Sequence, residues 1–145
     1  MATVNQLIER LKAFDVRQSC IDVVRENGDA IVAVNQEQLQ MGQKKDGSKV
    51  GWYRSEQYAQ FKNSMNPLPP FRVPDLRLTG AFYAGMKLDI AGDSFVISSS
   101  DSKAPDLVEK YGEEILGISE EGAQLVKEEI TMPAMRKKTK EALKL

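Results

Sequence analysis

The sequence predicts an α+β fold in which two N-terminal helices and a C-terminal helix pack on a small twisted antiparallel β-sheet, with an extended loop or hairpin. Two changes of pattern support this prediction. Before Met41 the apolar residues recur with the 3.6-residue period of a helix, and after Gly85 they alternate with the two-residue period of a strand. Between these regions, residues 66–74 hold four of the six prolines, which forbid a helix and disfavour a central strand.

The length and composition indicate one domain over residues 1–145. The chain has 145 residues, of which 41% are hydrophobic and 28% are charged, as in ordinary globular domains. Within that domain we expect N-terminal helices in 1–41 and an extended hairpin with a Pro-rich connector in 42–75. A helix, a β-hairpin and the C-terminal helix are expected in 76–145.

The N-terminal region predicts two amphipathic helices. Thr3 is placed to cap the first, whose apolar stripe comprises Val4, Leu7, Ile8, Leu11 and Phe14. Asp15 is placed to cap the second, which runs to about Gln40 and carries Cys20 on its apolar stripe, as a core residue. Gly28 interrupts this pattern, so either one helix tolerates it or two helices meet there. One long helix is favoured, because the stripe continues without a shift of phase.

The segment after Met41 predicts a contact surface. Asp46-Gly47 is a type I′ turn signal between polar arms, which indicates an exposed hairpin or loop. Half of the ten aromatic residues fall between Trp52 and Phe71, and aromatic residues are enriched at interface hot spots. The residues predicted to contact another subunit or a neighbouring protein are Lys44, Lys45, Asp46, Trp52, Tyr53, Tyr58, Phe61 and Phe71.

The C-terminal half carries the clearest secondary-structure signals. Residues 75–85, including the apolar Leu76 and Leu78, predict a short helix that ends at Gly85. Residues 86–91 and 94–99 predict two strands around a Gly92-Asp93 turn. Their core face is expected to include Leu88, Ile90, Phe95 and Ile97.

Two further helices are expected near the C-terminus. One runs from Asp106 to Tyr111 and is closed by the glycine that follows. The last is capped by Ser119, extends to Lys144 and is kinked or split by Pro133.

The composition restricts the possible chemistry. The chain has no histidine and one cysteine, so it lacks the commonest general base and cannot form an internal disulfide. We therefore expect no enzyme, no cofactor and no metal site. The net charge of −1 provides no overall attraction to nucleic acid or to an anionic membrane. The helical, charged start lacks the pattern of a signal peptide, so synthesis in the cytoplasm is expected.

Two other classes of function stay open at this point. Glu113, Glu114, Glu120 and Glu121 could serve a small carboxylate-based enzyme, although adjacent carboxylates are more often a solvated polar face. A basic end could serve a nucleic-acid-binding or regulatory module, and it comprises Arg136, Lys137, Lys138, Lys140 and Lys144. The ordinary interpretation is that acid at the start of a helix and base at its end complement the helix dipole.

Four consecutive segments carry a resemblance to a known family. They are LRLTGAFYAGMKL from Leu76, DIAGDSFVISSSD from Asp89, VEKYGEEILGIS from Val108 and EEGAQLVKEEI from Glu120. In this order and spacing they resemble the tail-completion and neck proteins of tailed bacteriophages, known as virion morphogenesis proteins. The helix with its Thr-Gly pair, the following hairpin, the Leu-Gly-Ile-Ser segment and the closing helix correspond in turn.

The resemblance implies a structural role without catalysis. Such a protein forms a ring in the head–tail connector, between the capsid portal or its adaptor and the tail. The implied partners are further copies of the chain and other neck, adaptor or tail proteins, with DNA passing through the lumen without sequence-specific recognition. The implied location is the neck or tail of the virion, after synthesis in the host bacterial cytoplasm.

Overall fold

Helices make up most of the chain in the computed structural model, which describes residues 3–77 and 79–145. Over these residues the fold is α+β, mostly helical, with one two-stranded antiparallel hairpin as a minor sheet. The elements are α1 Val4–Ala13, α2 Val16–Glu26, α3 Gly28–Gln40, α4 Glu56–Met65, α5 Ala81–Ala84, β1 Met86–Ala91, β2 Ser94–Ser99, α6 Ala104–Tyr111, a 3₁₀ turn Glu113–Ile115, α7 Glu120–Val126, a π-helical turn Lys127–Thr131 and α8 Met132–Leu143.

The hairpin confirms the predicted strands and their phase. Leu88 pairs with Ile97 and Ile90 pairs with Phe95, so these four side chains share one face of the hairpin. Ile97 is buried and the other three are half-buried, whereas Val96 on the opposite face is 53% exposed. The turn has a positive φ at Gly92 only, which is the requirement of a type II′ turn.

The core forms around α3. Ile31 and Leu39 of this helix are fully buried and belong to the same apolar cluster as Ile97, Ile115 and Val126. Helices α2 and α3 lie against β1, and α7 lies against α3. The sequence placed the C-terminal helix on the sheet, but the main contacts of α8 are with α1 and α2.

Two amides of α3 bind the extended backbone that follows α6. Asn35 is fully buried; its Nδ2 donates to the Ile115 carbonyl at 3.0 Å and its Oδ1 accepts from the Gly117 N–H at 2.8 Å. One turn later, Gln38 Nε2 donates to the Gly117 carbonyl at 3.2 Å and its Oε1 accepts from the Ser119 N–H at 2.9 Å. The two side chains therefore pair with this segment much as a neighbouring strand would.

The prediction of one long helix from Asp15 to Gln40 is wrong, because α2 and α3 are separated at Asn27. This residue has φ −109° and ψ 22°, outside the helical region. Its side-chain amide donates to the Val23 carbonyl at 2.8 Å, in addition to the helical bond that its backbone N–H donates to the same carbonyl at 3.1 Å. The break is local, because the Ile31 N–H still donates to the Asn27 carbonyl at 3.1 Å.

The apolar stripe of α1 is only partly covered, and Cys20 lies at the surface instead of in the core. Helix α1 contains no buried residue; Leu7 is half-buried, whereas Val4, Ile8 and Leu11 are exposed. The reason is that α1 packs mainly on one element, α8. Arg10 Nη1 of α1 donates a hydrogen bond to the Leu143 carbonyl of α8.

Two boundaries in the middle of the chain also differ from the prediction. The helix expected over 75–85 is reduced to the single turn of α5, which begins after Gly80 at φ 87°. Leu78, which that prediction included, lies outside the described residues. Conversely, the segment 42–75 is not extended throughout, since it contains the ten-residue α4. Ser55 caps this helix by accepting the Tyr58 N–H at 3.2 Å.

The predicted helix ends are confirmed where they depend on local chemistry. Thr3, Asp15 and Ser119 each accept a backbone N–H from three residues ahead. The last helix is split just before Pro133, where the π-helical turn precedes α8. Proline has no N–H for the helical ladder, so the extra residue of a π turn accommodates its ring.

None of the helices among the described residues is long and apolar enough to span a membrane.

The burial pattern of β2 gives a matched pair of substitutions. Ile97→Asp places an unpaired charge in the core and should lower the free energy of unfolding by about 4 kcal/mol. Val96→Asp, one residue away on the solvent face, should change it by less than about 1 kcal/mol. Urea unfolding followed by circular dichroism measures both. Equal effects of the two variants would contradict the described phase of the strand.

Candidate interaction surface

One flank of α4 exposes large apolar side chains. Tyr58, Phe61 and Met65 follow the spacing of a single helical stripe, and Phe61 is 51% exposed. The rings of Tyr58 and Phe61 lie 6.1 Å apart, and Tyr53 contacts Tyr58 edge-on at 5.0 Å between ring centroids. Trp52, just before α4, is 60% exposed. We call Trp52, Tyr58, Phe61 and Met65 the α4 surface.

The α4 surface is almost free of charged residues. From Gln57 to Phe71 the only charged residue is Lys62, although 28% of the whole chain is charged. The remaining polar side chains of α4 after Glu56 are Gln, Asn and Ser. Enrichment in aromatic residues and Met with depletion of Lys, Glu and Asp is the composition of protein–protein interface cores.

A buried ion pair fixes α4 to the rest of the fold. Lys62 Nζ lies 2.9 Å from Asp75 Oδ1, and the two side chains are only 7% and 5% exposed. Lys62 Nζ also donates to the Arg77 carbonyl, and the Arg77 N–H donates to Asp75 Oδ1 at 3.0 Å. Asn66 Nδ2 donates to Asp75 Oδ2 at 3.0 Å and to the Gln40 carbonyl of α3 at 2.9 Å. This network ties α4 to the Pro-rich connector and to the end of α3.

The electrostatics of this network keep Asp75 ionised. Burial raises the pKa of its carboxyl, but the hydrogen bonds from Asn66, Lys62 and the Arg77 N–H outweigh burial and hold the pKa below its usual range. Burial has the largest effect on the phenols of Tyr53 and Tyr83 and raises their pKa, and the negative charge of Asp75 raises it further. The Tyr83 hydroxyl donates to the Asp75 carbonyl, which links α5 to the same centre.

The predicted aromatic residues do not all lie on one surface. Trp52, Tyr58 and Phe61 belong to the α4 surface, and Lys49 Nζ lies 4.9 Å from the Trp52 ring centroid. Tyr53 is half-buried, and its N–H donates to the Arg72 carbonyl at 2.7 Å. Phe71 is exposed but lies on the other flank of α4, where it lines a crevice with Asn63, Pro69 and Pro70.

The predicted loop residues are held against a different part of the molecule. The two arms of the loop form one isolated β-bridge, between Gln43 and Lys49. A type I′ turn requires a positive φ at both central residues. Gly47 has a φ of 85°, but the φ of Asp46 is not positive, so the turn is not type I′. The Lys45 N–H donates to the Glu114 carbonyl at 2.8 Å.

The side chains at the base of this loop close it onto the body of the protein. Lys44 and Lys45 lie over Gly112 and Gly117, at distances that leave little space for a Cβ atom. Val50, at the end of the loop, is buried in the core. The loop is therefore exposed at its tip, as expected, and anchored at its base.

An apolar cleft opens beside the α4 surface. Its volume is about 200 Å³. Among the described residues, its walls include Tyr53, Tyr58, Leu76, Phe82 and Tyr111, with Arg77 and Lys103 also present. A cleft of this size and lining can receive a side chain of a bound protein.

The other candidate groups lie elsewhere. Glu113 and Glu114 begin the 3₁₀ turn, and Glu120 and Glu121 begin α7. In the basic end, Lys138 Nζ binds Glu26 at 3.2 Å. Over residues 3–77 and 79–145, no group of three or more His, Cys, Asp or Glu residues is placed to hold a metal ion.

The residues that position the α4 surface were not predicted from the sequence. Lys62, Asn66 and Asp75 were given no role, and Met65 was not included with the aromatic residues. A usable signal was present, because Lys62 is the single charge in a long neutral stretch and Asp75 follows the last proline of the connector. A lone charge in such a context requires a partner when it is buried.

No family model, no curated protein and no solved structure matches the chain. The features that bear on function are the α4 surface with its anchor and the resemblance of four segments of the sequence to neck and tail-completion proteins.

The Lys62–Asp75 pair gives a prediction about stability and pH. Because the folded pKa of Asp75 is depressed, its stabilising contribution is complete above the unfolded value of about 4 and is lost as the pH falls through the folded value. Asp75→Asn leaves Lys62 buried without its counter-charge and should cost about 3 kcal/mol at pH 7. The difference in unfolding free energy between wild type and this variant should stay constant down to about pH 5 and shrink as the pH falls further below about 4.

The matched control is Asp89→Asn, which changes an exposed carboxylate of β1. Its effect should stay below about 1 kcal/mol across the same pH range. Urea titrations at each pH measure all three proteins. A constant difference between wild type and Asp75→Asn at every pH would show that Asp75 is not the stabilising carboxylate.

Proposed function

We propose that this chain is a structural virion protein of a tailed phage, a subunit of the ring that joins the portal or its adaptor to the tail. The observation that carries the proposal is the α4 surface, an uncharged aromatic helix face that is uncovered yet rigidly anchored by a buried ion pair. Exposed apolar patches of this kind mark interaction sites on soluble proteins. The resemblance of residues 76–145 to neck and tail-completion proteins supplies the class of assembly.

The architecture suits the role of a rigid ring subunit. Each subunit of a closed ring contacts its two neighbours through two different surfaces, and further surfaces contact the rings above and below. Helices α1 and α4 both expose apolar side chains, so the chain offers more than one such surface. A net charge of −1 lets DNA pass a ring lumen without tight binding to it.

The nucleic-acid-binding alternative is less well supported by the α4 surface. A surface that stacks bases also needs cations that follow the phosphates. On α4 and its connector, from Gln57 to Phe71, the one cation is Lys62, which is buried and neutralised by Asp75; the cations Lys49 and Arg77 lie at the edge of the surface. The aromatic residues here are therefore better suited to another protein.

The geometry also gives little support to the alternative that this protein is a carboxylate-based enzyme. A general acid or base must offer its proton site to a substrate. Asp75, the most buried carboxylate among the described residues, is engaged by Lys62, Asn66 and the Arg77 N–H. These contacts give it a structural role in holding α4.

Two measurements test the proposal directly. Mass spectrometry of purified particles, from the phage whose genome encodes this chain, should detect it in a fixed ratio to the portal protein. Electron microscopy of the purified chain mixed with the neighbouring neck protein should show rings. Absence of the chain from infectious particles would overturn the proposal, and nuclease or hydrolase activity that depends on one carboxylate would favour an enzyme.

A paired substitution tests the role of the α4 surface in particles. Phe61→Ser removes an exposed aromatic side chain without disturbing the core, so the melting temperature should change by less than about 3 °C. Incorporation into particles should fall about tenfold or more, because central aromatic residues dominate interface energies. Val96→Ser, an exposed apolar position on β2, is the control and should be incorporated normally. Normal incorporation of Phe61→Ser would place the contacts elsewhere.

A further inference from the structure

We infer that the α4 surface of one copy of this chain docks on an acidic ridge of α7 and α8 in a second copy. The ridge consists of Glu121, Leu125, Glu128 and Met132, which we call the α7 ridge. This inference rests on the proposed ring and deepens it, because it names the two surfaces that meet between neighbouring subunits.

The α7 ridge combines apolar and acidic side chains on one face. Its four residues are spaced by four, three and four positions along one helical run, in which the π-helical turn Lys127–Thr131 shifts the α-helical phase between Leu125 and Met132. Leu125 and Met132 are 39% and 37% exposed, although both are large apolar side chains. Residues 120–131 contain four glutamates and one lysine.

These glutamates have no cationic partner within their own chain among the described residues. The salt bridges over 3–77 and 79–145 involve none of Glu120, Glu121, Glu128 and Glu129. The one hydrogen bond to their carboxylates in this part of the structure is donated by Gln124 to Glu128. The ridge therefore presents apolar side chains beside glutamates that no ion pair neutralises, with Lys45 in the same crevice as Glu120 and Glu121 and Arg136 beside Met132.

The α4 surface has the opposite charge at its rim, where Lys49 lies over the Trp52 ring and Arg77 lines the cleft beside Tyr58. Residues 49–77 contain five basic and two acidic residues, a net charge of +3. Lys62 and Asp75 neutralise each other inside the fold, which leaves Lys49, Arg54, Arg72 and Arg77 against Glu56. None of these five side chains forms a salt bridge with a described residue.

The two surfaces are complementary in polarity and in charge. Each has an apolar centre, and the basic rim of one matches the acidic rim of the other. Complementary rims of this kind steer association and fix the orientation of the partners.

One chain does not bring its own two surfaces together. Helix α4 is bound to the end of α3 through Asn66 and Gln40, whereas α7 lies on the middle of α3, with Gly122 close to Val34. The main packed pairs of described elements do not include α4 with α7 or α8. A second copy can supply the missing surface. Because the contact joins two different surfaces, it is heterologous and extends into a ring or a filament.

Two complementary variants test the contact in solution. Phe61→Ser impairs only the α4 surface, and Leu125→Ser impairs only the α7 ridge. Each variant alone should associate roughly 30-fold more weakly than wild type. In a 1:1 mixture, the intact α4 surface of Leu125→Ser meets the intact ridge of Phe61→Ser. The mixture should therefore form heterodimers that do not grow further, as measured by native mass spectrometry and sedimentation velocity.

The salt dependence and a control complete the experiment. Raising the ionic strength from about 0.05 M to about 0.5 M should weaken wild-type association several-fold, because the rims are solvent-exposed. Val96→Ser should associate like wild type. A wild-type protein that stays monomeric at its highest soluble concentration, or a mixture that gives no heterodimer, overturns this contact. Detection of the chain in particles would then still support the proposed function, so the two failures are distinguishable.

Discussion

The buried pair of Lys62 and Asp75 is the interaction on which the arrangement of the molecule around α4 depends. Two charges inside a protein carry a large desolvation cost, and the pair is tolerable only because other donors complete it. Asn66, the Arg77 N–H and the Arg77 carbonyl do so here. Helix α4 has few other attachments, since only Ala59 and Lys62 of its ten residues are buried. The position of α4 is therefore set by this ion pair and its hydrogen bonds more than by hydrophobic burial.

The ion pair explains how a helix with exposed aromatic side chains can keep a defined orientation at the surface. The apolar stripe of a surface helix usually faces the core. In α4 the side that faces the core carries Lys62, which pairs with Asp75, and Asn66 at the end of the helix binds Asp75 and α3. Tyr58, Phe61 and Met65 are consequently directed outward. A surface that is ordered before binding loses little conformational entropy on association, which favours assembly between rigid subunits. The same orientation gives the basic rim a fixed position relative to the acidic stripe of α7.

The features predicted correctly from the sequence are those that depend on near neighbours. The period of two fixes the hairpin and its core face, and the oxygen atoms of Thr3, Asp15 and Ser119 fix helix starts within three residues. The failures depend on tertiary structure. Cys20 and the α1 stripe have the pattern of a core but lack a covering element, and α2 ends at Asn27, where the backbone leaves the helical region although the apolar period continues. Lys62 and Asp75 meet across a proline-rich loop, which no helical or strand period reveals.

Hydrogen exchange of the α4 backbone amides most directly tests the claim that the ion pair holds this surface in place. In the wild type at neutral pH, the amides of Lys62 to Met65 should exchange as slowly as those of α3, because they open only with the core. In Asp75→Asn the same amides should exchange at least about tenfold faster relative to α3. Rapid exchange of α4 in the wild type, at the rate of the sparsely packed α1, would contradict the account. It would mean that the aromatic surface is presented by a loosely attached helix.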